Sequence, residues 1–141
     1  MNLYVDSSSF LKVFLREPGS AEIRDLVTLA DSLSTSMVAW PEVRAGLARA
    51  FRGVRVSSDE YDLALGRLTS DIWPRFDVVD LDTQVAMSAG DIAARYFLRG
   101  LDAIHLASAL TLQEGIGEPV SFSSFDERLN EAAADCGLTV V

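Results

Sequence analysis

Four acidic residues, far apart in the sequence, stand where one segment of the chain gives way to the next. They are Asp6, Glu42, Asp102 and Asp126. Carboxylates that gather without compensation raise one another's pKa and resist ionisation, and a hard divalent cation resolves that conflict. Two Mg²⁺ ions can stabilise both the attacking and the leaving oxygen of a phosphodiester displacement. If the fold brings the four acids together, they predict a metal site that acts on phosphate esters.

The apolar periodicity predicts short strands alternating with longer helices. We expect strands at residues 2–6, 34–39, 75–81, 118–124 and 138–141, and helices at residues 10–15, 20–30, 40–53, 57–73, 82–98, 101–113 and 127–136. This alternation indicates an α/β fold with a central parallel sheet of about five strands, covered by helices on both faces. Functional sites of such folds lie outside the carboxyl ends of the strands. Asp6, Glu42 and Asp126 belong at that edge, and Asp102 joins them if the helix before it returns there.

Each acid also has a purely structural explanation. Glu42 in a first helical turn is stabilised by the helix dipole, and Asp126 can cap the last helix. Ser7–Ser9 are expected to cap the first helix, which leaves Asp6 free for another role. Asp102 lies in the apolar run "LRGLDAIHLASAL", with no arginine or lysine after it at helical spacing. Ionised carboxylates are seldom buried unpaired, so the combination of four acids favours a metal site.

His105, the only histidine, lies three residues after Asp102 and on the same helical face. A metal-binding or catalytic Asp–His pair is therefore conceivable. One histidine and one cysteine, Cys136, cannot supply the usual ligands of zinc, and no Gly-x-Ser-x-Gly motif surrounds the serines at 7–9. We expect His105 to be a neutral, hydrogen-bonded residue that fixes helix packing.

The charge distribution is uneven. The chain has 21 acidic against 12 basic residues and a net charge of −9, which by itself disfavours nucleic acid and anionic membranes. One segment of twelve residues, 44–55, contains four arginines and lacks any acidic residue. The arginines are Arg44, Arg49, Arg52 and Arg55. Two interpretations of these arginines remain: they form the solvated face of a helix, or they form a surface that binds phosphate. Lys12, the only lysine, is expected to pair with a site acid or to contact substrate.

Length and composition indicate one domain over residues 1–141. The 141 residues are 49% hydrophobic and 23% charged, typical of a globular chain. No apolar run approaches the length that spans a bilayer, and no signal-peptide pattern opens the sequence. We therefore expect a cytoplasmic protein without a membrane partner.

Four segments together resemble the PIN-domain family, and specifically the VapC toxins of bacterial and archaeal toxin–antitoxin pairs. They are "LYVDSSSFLKVFL", "VAWPEVRAGLAR", "LRGLDAIHLASAL" and "SFDERLNEAAADCGL". The resemblance runs nearly from end to end, and it is most specific at Asp6, Ser7 and Ser8 with Lys12, and at "DAIHLA". It implies the PIN-like three-layer fold, with a metal-dependent ribonuclease site.

The resemblance also assigns residues and partners. It implies Mg²⁺, with Mn²⁺ able to substitute, held by Asp6, Glu42, Asp102 and Asp126. Ser8 and Ser124 match positions whose polar side chains support the site. The implied activity is hydrolysis of RNA to 5′-phosphate and 3′-hydroxyl ends by metal-activated water. A cognate antitoxin and a homodimer are the implied partners.

Three alternatives remain open in the sequence. A phosphatase of the haloacid-dehalogenase type also places an Asp after its first strand, but it needs a second Asp where this chain has Ser8. A response-regulator receiver could use Asp80 or Asp82 as phosphate acceptor, but it needs a lysine near the chain end. The third alternative is a catalytically inactive PIN-like binding protein.

Overall fold

A computed structural model describes all 141 residues and contains one sheet of five parallel strands. The strands are β1 (Asn2–Val5), β2 (Ser32–Ser36), β3 (Asp77–Val79), β4 (Val120–Ser123) and β5 (Thr139–Val140). The helices are α1 (Ser7–Lys12), α2 (Ser20–Leu29), α3 (Ala39–Arg52), α4 (Ser58–Arg67), α5 (Thr83–Tyr96), α6 (Gly100–Ile116) and α7 (Glu127–Asp135). The predicted α/β class and five-stranded parallel sheet are confirmed.

The central strand β1 divides the core into two apolar layers. Its side chains alternate, so Leu3 and Val5 face one layer while Tyr4 faces the other. The first layer packs residues of α1, α2 and α3 against the sheet, and the second packs residues of α6 and α7. All three β1 side chains are fully buried, because a parallel sheet with helices on both faces leaves no solvent-facing side.

In the strand order β3-β2-β1-β4-β5, the order in which successive strands are added to the sheet reverses beside β1, although all strands are parallel. The chain builds outward from β1 through β2 to β3, and then returns to lay β4 on the opposite side of β1. Clefts form outside the carboxyl ends of strands at such a reversal, here between β1 and β4. Asp6 follows β1 there directly.

The strand order argues against the receiver alternative, because it differs from the 2-1-3-4-5 arrangement of receiver-like folds. The position of Asp82 also argues against it, because the Asp82 side chain caps α5 by accepting the Val85 N–H.

Several boundaries differ from the predicted ones. The predicted 57–73 helix is shorter: α4 ends at Arg67, and a π-helical turn (Leu68–Ile72) and a 3₁₀ turn (Trp73–Arg75) follow. Pro74 contributes to the change, because proline has no N–H to donate to the preceding turn and its ring crowds the carbonyl four residues before it, although Trp73 keeps helical backbone angles. Strand β2 begins and ends earlier than expected, at Ser32 and Ser36. No helix in the structure is long and apolar enough to cross a membrane.

Asp6 itself caps α1, which corrects the expectation that the serines do so. Its Oδ1 accepts the backbone N–H of Ser9 at 2.8 Å. The serines at 7 and 8 are the first residues of the helix, and their hydroxyls bond to site side chains instead. The capping bond therefore fixes the position of the Asp6 carboxylate at the end of β1.

We predict that only glycine fits at position 19, close to the acidic residues, without straining the fold. Gly19 precedes α2 with a φ of +89°, and an added Cβ would lie 2.2 Å from the ring of Phe125, between Ser124 and Asp126. We expect Gly19→Ala to destabilise the fold by about 1–3 kcal/mol in urea unfolding. Gly90→Ala is the matched control, because Gly90 is exposed within α5 with open space around it. That change should stabilise by about 0.5–1 kcal/mol; equal effects of the two substitutions would contradict the strain argument.

Candidate active site

A cleft of about 310 Å³ lies outside the carboxyl ends of β1 and β4. Ten residues line it, nine of them polar or charged: Asp6, Ser7, Ser8, Leu11, Glu42, Arg49, Arg99, Asp102, His105 and Asp126. All four acids singled out in the sequence are among them. A larger groove of about 470 Å³, lined by residues of α2, α4 and the segments after α1 and before α4, contains none of the four. The smaller cleft is therefore the candidate active site, because it contains the acidic residues, although the other groove is larger.

Asp6 is the most constrained of the four acids. It is only 3% exposed, and besides the Ser9 N–H its carboxylate accepts the hydroxyls of Ser8 at 2.8 Å and Ser124 at 2.7 Å. Ser124 in turn accepts the backbone N–H of Asp126 at 3.0 Å. These bonds fix one carboxylate between the ends of two strands. They also show Ser8 and Ser124 in direct contact with Asp6.

Glu42 enters the cleft from the first turn of α3. Its Oε2 accepts the hydroxyl of Ser7 and lies 2.9 Å from Nε2 of His105. Burial alone would raise the pKa of Glu42, but the hydrogen bonds from His105 and Ser7 outweigh burial and lower it. The carboxylate is therefore held ionised although it is half-buried.

His105 is buried and hydrogen-bonded, and one of its partners is a carboxylate of the cleft. Its ring is 2% exposed, with Nδ1 3.0 Å from the hydroxyl of Tyr4 and Nε2 2.8 Å from Oγ of Ser7. Its carboxylate partner is Glu42 rather than Asp102, the acid nearest in sequence. The sequence could not reveal this pair, because Glu42 lies on another helix 63 residues away.

Asp102 lies in the first turn of α6 and carries the electrostatic cost of the cluster. Burial raises the pKa of its carboxyl, and the carboxylates of Asp126, Asp6 and Glu42 raise it further, against the opposing effect of Arg99. Asp126 caps α7 by accepting the Leu129 N–H at 3.0 Å. The predicted capping role and the position in the cleft are therefore compatible for Asp126.

Two arginines reach the cleft, and only one of them belongs to the four noted in the sequence. Arg49 lines it from α3, as one of the four arginines noted in the sequence, and Arg99 lines it from the residue before α6. Arg99 was missed, although its place just before "GLD" was a usable signal. Arg44 does not line the cleft, and its guanidinium lies 5.7 Å from the ring of Trp40.

Lys12 is tied down outside the cleft, so the expectation that it pairs with a site acid is wrong. Its Nζ bonds to Glu17 at 2.8 Å and to the carbonyl of Pro18 at 2.9 Å, and it lies 4.5 Å from the centre of the Phe125 ring. The hydrogen bond from Lys12, assisted by Arg55, lowers the pKa of Glu17 against the effect of burial. Lys12 thus braces the segment that contacts Phe125.

The donor set of the cleft suits a hard divalent cation. Four carboxylates share the cleft with two arginines, and burial and the repulsion of the other three carboxylates both raise the pKa of Asp102. No three acidic, histidine or cysteine side chains are arranged around a single point as ligands of one ion. Mg²⁺ needs no such cage, because it keeps several waters and binds through one or two carboxylates together with substrate phosphate.

Comparison with known proteins agrees with this geometry. The family model described as "PIN domain" matches residues 3–135. Ribonuclease VapC45 and ribonuclease VapC49 of Mycobacterium tuberculosis are each 37% identical over 139 residues, which cover 98% of this chain and 93% of theirs. The chain belongs to the VapC group of the PIN-domain family. Ribonuclease VapC46 of the same organism is 30% identical, with 99% of this chain and 95% of its own covered.

Solved PIN-fold structures share the architecture at low sequence identity. FitAcB from Neisseria gonorrhoeae superposes with a TM-score of 0.72 at 18% identity, covering 98% of this chain and 95% of its own. PAE2754 from Pyrobaculum aerophilum superposes with a TM-score of 0.69 at 18% identity, covering 100% of this chain and 84% of its own. Both confirm the three-layer PIN fold expected from the resemblance.

The raised pKa of Asp102 predicts a stability effect of fixed sign. A carboxyl that holds its proton more tightly in the folded state favours folding at low pH, and loses that contribution as pH rises through its folded pKa. Asp102→Asn should therefore raise the free energy of unfolding at pH 7 in the presence of a chelator, and the gain should shrink towards pH 3. Urea titrations at both pH values measure it. A variant less stable than the parent at pH 7, or a gain independent of pH, would contradict the repulsion argument.

Proposed function

We propose that the protein is a divalent-metal-dependent ribonuclease and the toxin of a toxin–antitoxin pair. The observation that carries this proposal is the convergence of Asp6, Glu42, Asp102 and Asp126 in one cleft with two arginines. Curated relatives that match this chain nearly from end to end are named ribonucleases. An inactive binding protein would have no need to gather carboxylates against their repulsion.

Asp6, Glu42, Asp102 and Asp126 are the residues that would hold one or two Mg²⁺ ions, with Mn²⁺ as a substitute. The bound metal would supply a water of lowered pKa and would stabilise the charge that develops on the scissile phosphate. Asp6 is suited to this task because three hydrogen bonds keep its carboxylate oriented without extra side-chain motion. Glu42 is suited to it because its lowered pKa keeps it ionised.

The two arginines of the cleft would bind and orient the substrate. Arg49 and Arg99 are the cations of the cleft, so they would bind backbone phosphates and offset the net charge of −9. No side-chain nucleophile is needed. Ser7 lies 2.8 Å from Nε2 of His105, as a serine nucleophile would lie from its base, but its hydroxyl donates to Glu42. It therefore supports a carboxylate.

A cognate antitoxin and a second copy of the chain are the protein partners of this proposal. FitAB and VapBC2 from Rickettsia felis, both solved bound to DNA, are among the structures with a similar fold. A toxin–antitoxin complex from Klebsiella pneumoniae also superposes, with a TM-score of 0.61. An acidic toxin must bind RNA through a few local cations, so an antitoxin that covers the cleft would inhibit it efficiently.

The activity is tested by expression of the parent beside Asp6→Ala and Asp102→Asn. We expect the parent alone to arrest growth and to generate discrete RNA ends that carry 5′-phosphate. With purified protein, Mg²⁺ or Mn²⁺ should support cleavage and a chelator should abolish it. Each substitution should reduce the rate about 100-fold or more, the scale of losing one electrostatic group of an active site. A folded Asp102→Asn variant that cuts RNA as fast as the parent would overturn the proposal.

The two arginines of the cleft should govern RNA affinity more than turnover. In an Asp102→Asn background, Arg49→Gln or Arg99→Gln should weaken RNA binding and reduce the slope of log affinity against log salt by about 0.7 for each lost contact with single-stranded RNA. Arg44→Gln is the matched control, because Arg44 lies outside the cleft against Trp40. Filter-binding titrations at several salt concentrations measure the slope. The assignment fails if Arg44→Gln changes the slope as much as the other two substitutions do.

A further inference from the structure

A chain of hydrogen bonds runs from the core of the protein to one carboxylate of the cleft. It starts at the hydroxyl of Tyr4, which lies 3.0 Å from Nδ1 of His105, and continues from Nε2 of His105 to Oε2 of Glu42 at 2.9 Å. Tyr4 is 0% exposed and His105 is 2% exposed. A buried polar group without a hydrogen-bonding partner costs about 1–3 kcal/mol of stability. Each group in this series of hydrogen bonds therefore needs its neighbour as a partner.

The partners of the imidazole determine where its hydrogen lies. Nε2 faces a carboxylate oxygen, which can only accept, and the Ser7 oxygen, whose own hydrogen goes to Glu42. Nε2 must therefore carry the N–H. In a ring with a single N–H, Nδ1 is then an acceptor, and the Tyr4 hydroxyl is the donor placed to satisfy it.

The packing of Tyr4 does not account for its hydroxyl. Its ring is stacked on that of Phe122, with centroids 5.5 Å apart and planes inclined by 9°. A phenylalanine at this position would keep that contact. The hydroxyl, by contrast, lies 3.0 Å from Nδ1 of the only histidine of the protein, with the side chains of Ser108 and Ser36 also beside it. Its function is therefore to be sought in what His105 contacts.

The two hydrogen bonds that Glu42 accepts from Ser7 and His105 both go to Oε2. This division leaves Oε1 for a cation or a water molecule in the cleft. Loss of the His105 donor would free the carboxylate to rotate, with Ser7 as its one remaining partner. Hydrogen-bonding partners behind a metal-binding carboxylate fix its orientation, and their removal typically costs about 10- to 100-fold in metal affinity or activity.

We propose that Tyr4 and His105 are positioning residues, in which the Tyr4 hydroxyl holds His105 as its Nε2–H tautomer and His105 holds Glu42 for cation binding. The significance of this for catalysis rests on the ribonuclease function proposed above. The role differs from general base catalysis, because both ring nitrogens of His105 face protein partners, Tyr4 at Nδ1 and Ser7 and Glu42 at Nε2. It also differs from simple packing, because it depends on one hydrogen-bond donor at a defined atom.

The tautomer can be observed directly, without any activity. Because the chain has one histidine, a long-range ¹H–¹⁵N spectrum of untagged, metal-free protein at pH 8 contains a single imidazole. We expect one protonated nitrogen, Nε2, and one unprotonated nitrogen, Nδ1. In Tyr4→Phe the spectrum should show a mixture of tautomers or exchange broadening. Tyr96→Phe is the matched control, since it removes a phenol that bonds to Asp135, outside the cleft, and it should leave the imidazole signals unchanged.

Function is tested with two substitutions of the histidine that differ in one donor. His105→Leu removes the donor to Glu42, whereas the amide nitrogen of His105→Gln can take the place of Nε2. We expect His105→Leu to lose about 10- to 100-fold in Mn²⁺ affinity by calorimetry and in kcat for RNA cleavage. His105→Gln should recover most of both. Tyr4→Phe should lie between the parent and His105→Leu, with KM for RNA little changed.

The outcomes separate this inference from the function on which it rests. A parent that binds Mn²⁺ but cuts no RNA would contradict the ribonuclease function, while the spectrum and the Mn²⁺ titrations would still decide the positioning role. A parent that cuts RNA, together with a folded His105→Leu variant that matches it in Mn²⁺ affinity and kcat, would overturn the positioning role alone. A proton on Nδ1 in the parent, or equal losses in His105→Leu and His105→Gln, would also overturn it.

Discussion

Repulsion between carboxylates gathered at one sheet edge is the constraint on which this structure depends. Four acids line a cleft of about 310 Å³ with only two arginines among them, and burial together with the neighbouring carboxylates raises the pKa of Asp102. A fold tolerates such a cluster only if rigid elements hold its members in place. Here the end of β1 and the first turns or caps of α3, α6 and α7 each position one acid, so no carboxylate depends on a long loop.

Each acid is stabilised in a different way, and the differences suggest a division of labour. Asp6 is buried and held by three hydrogen bonds, and Glu42 is held through Ser7 and His105. Asp126 is committed in part to capping α7. Asp102 bears the unfavourable interaction with the others, and so it has most to gain from a cation. Asp102 thus lowers the stability of the metal-free fold, and cation binding at the same residue would restore that stability. Such a trade of stability for function is usual at functional sites.

The serines around Asp6 show how an acidic cleft can be rigid without basic partners. Hydroxyl groups donate to a carboxylate without adding a charge, so they orient it and leave its charge available to a cation. Ser8 and Ser124 also accept the backbone N–H groups of Phe125 and Asp126. They therefore connect β1 to the segment after β4, and the position of Asp6 is coupled to that of Asp126.

The sequence by itself determined the α/β class, the strand and helix order, the family, and the four acids, because periodicity and short motifs are local properties of the chain. It did not determine that Asp6 rather than a serine caps α1, nor that a π-helical turn replaces the last part of the helix after Ser57. Tertiary structure alone decided the partners in the cleft: Arg99 rather than Arg44 reaches it, and His105 pairs with Glu42. The reason is physical, since such contacts join residues that only the packing of separate helices on the sheet brings within hydrogen-bond distance.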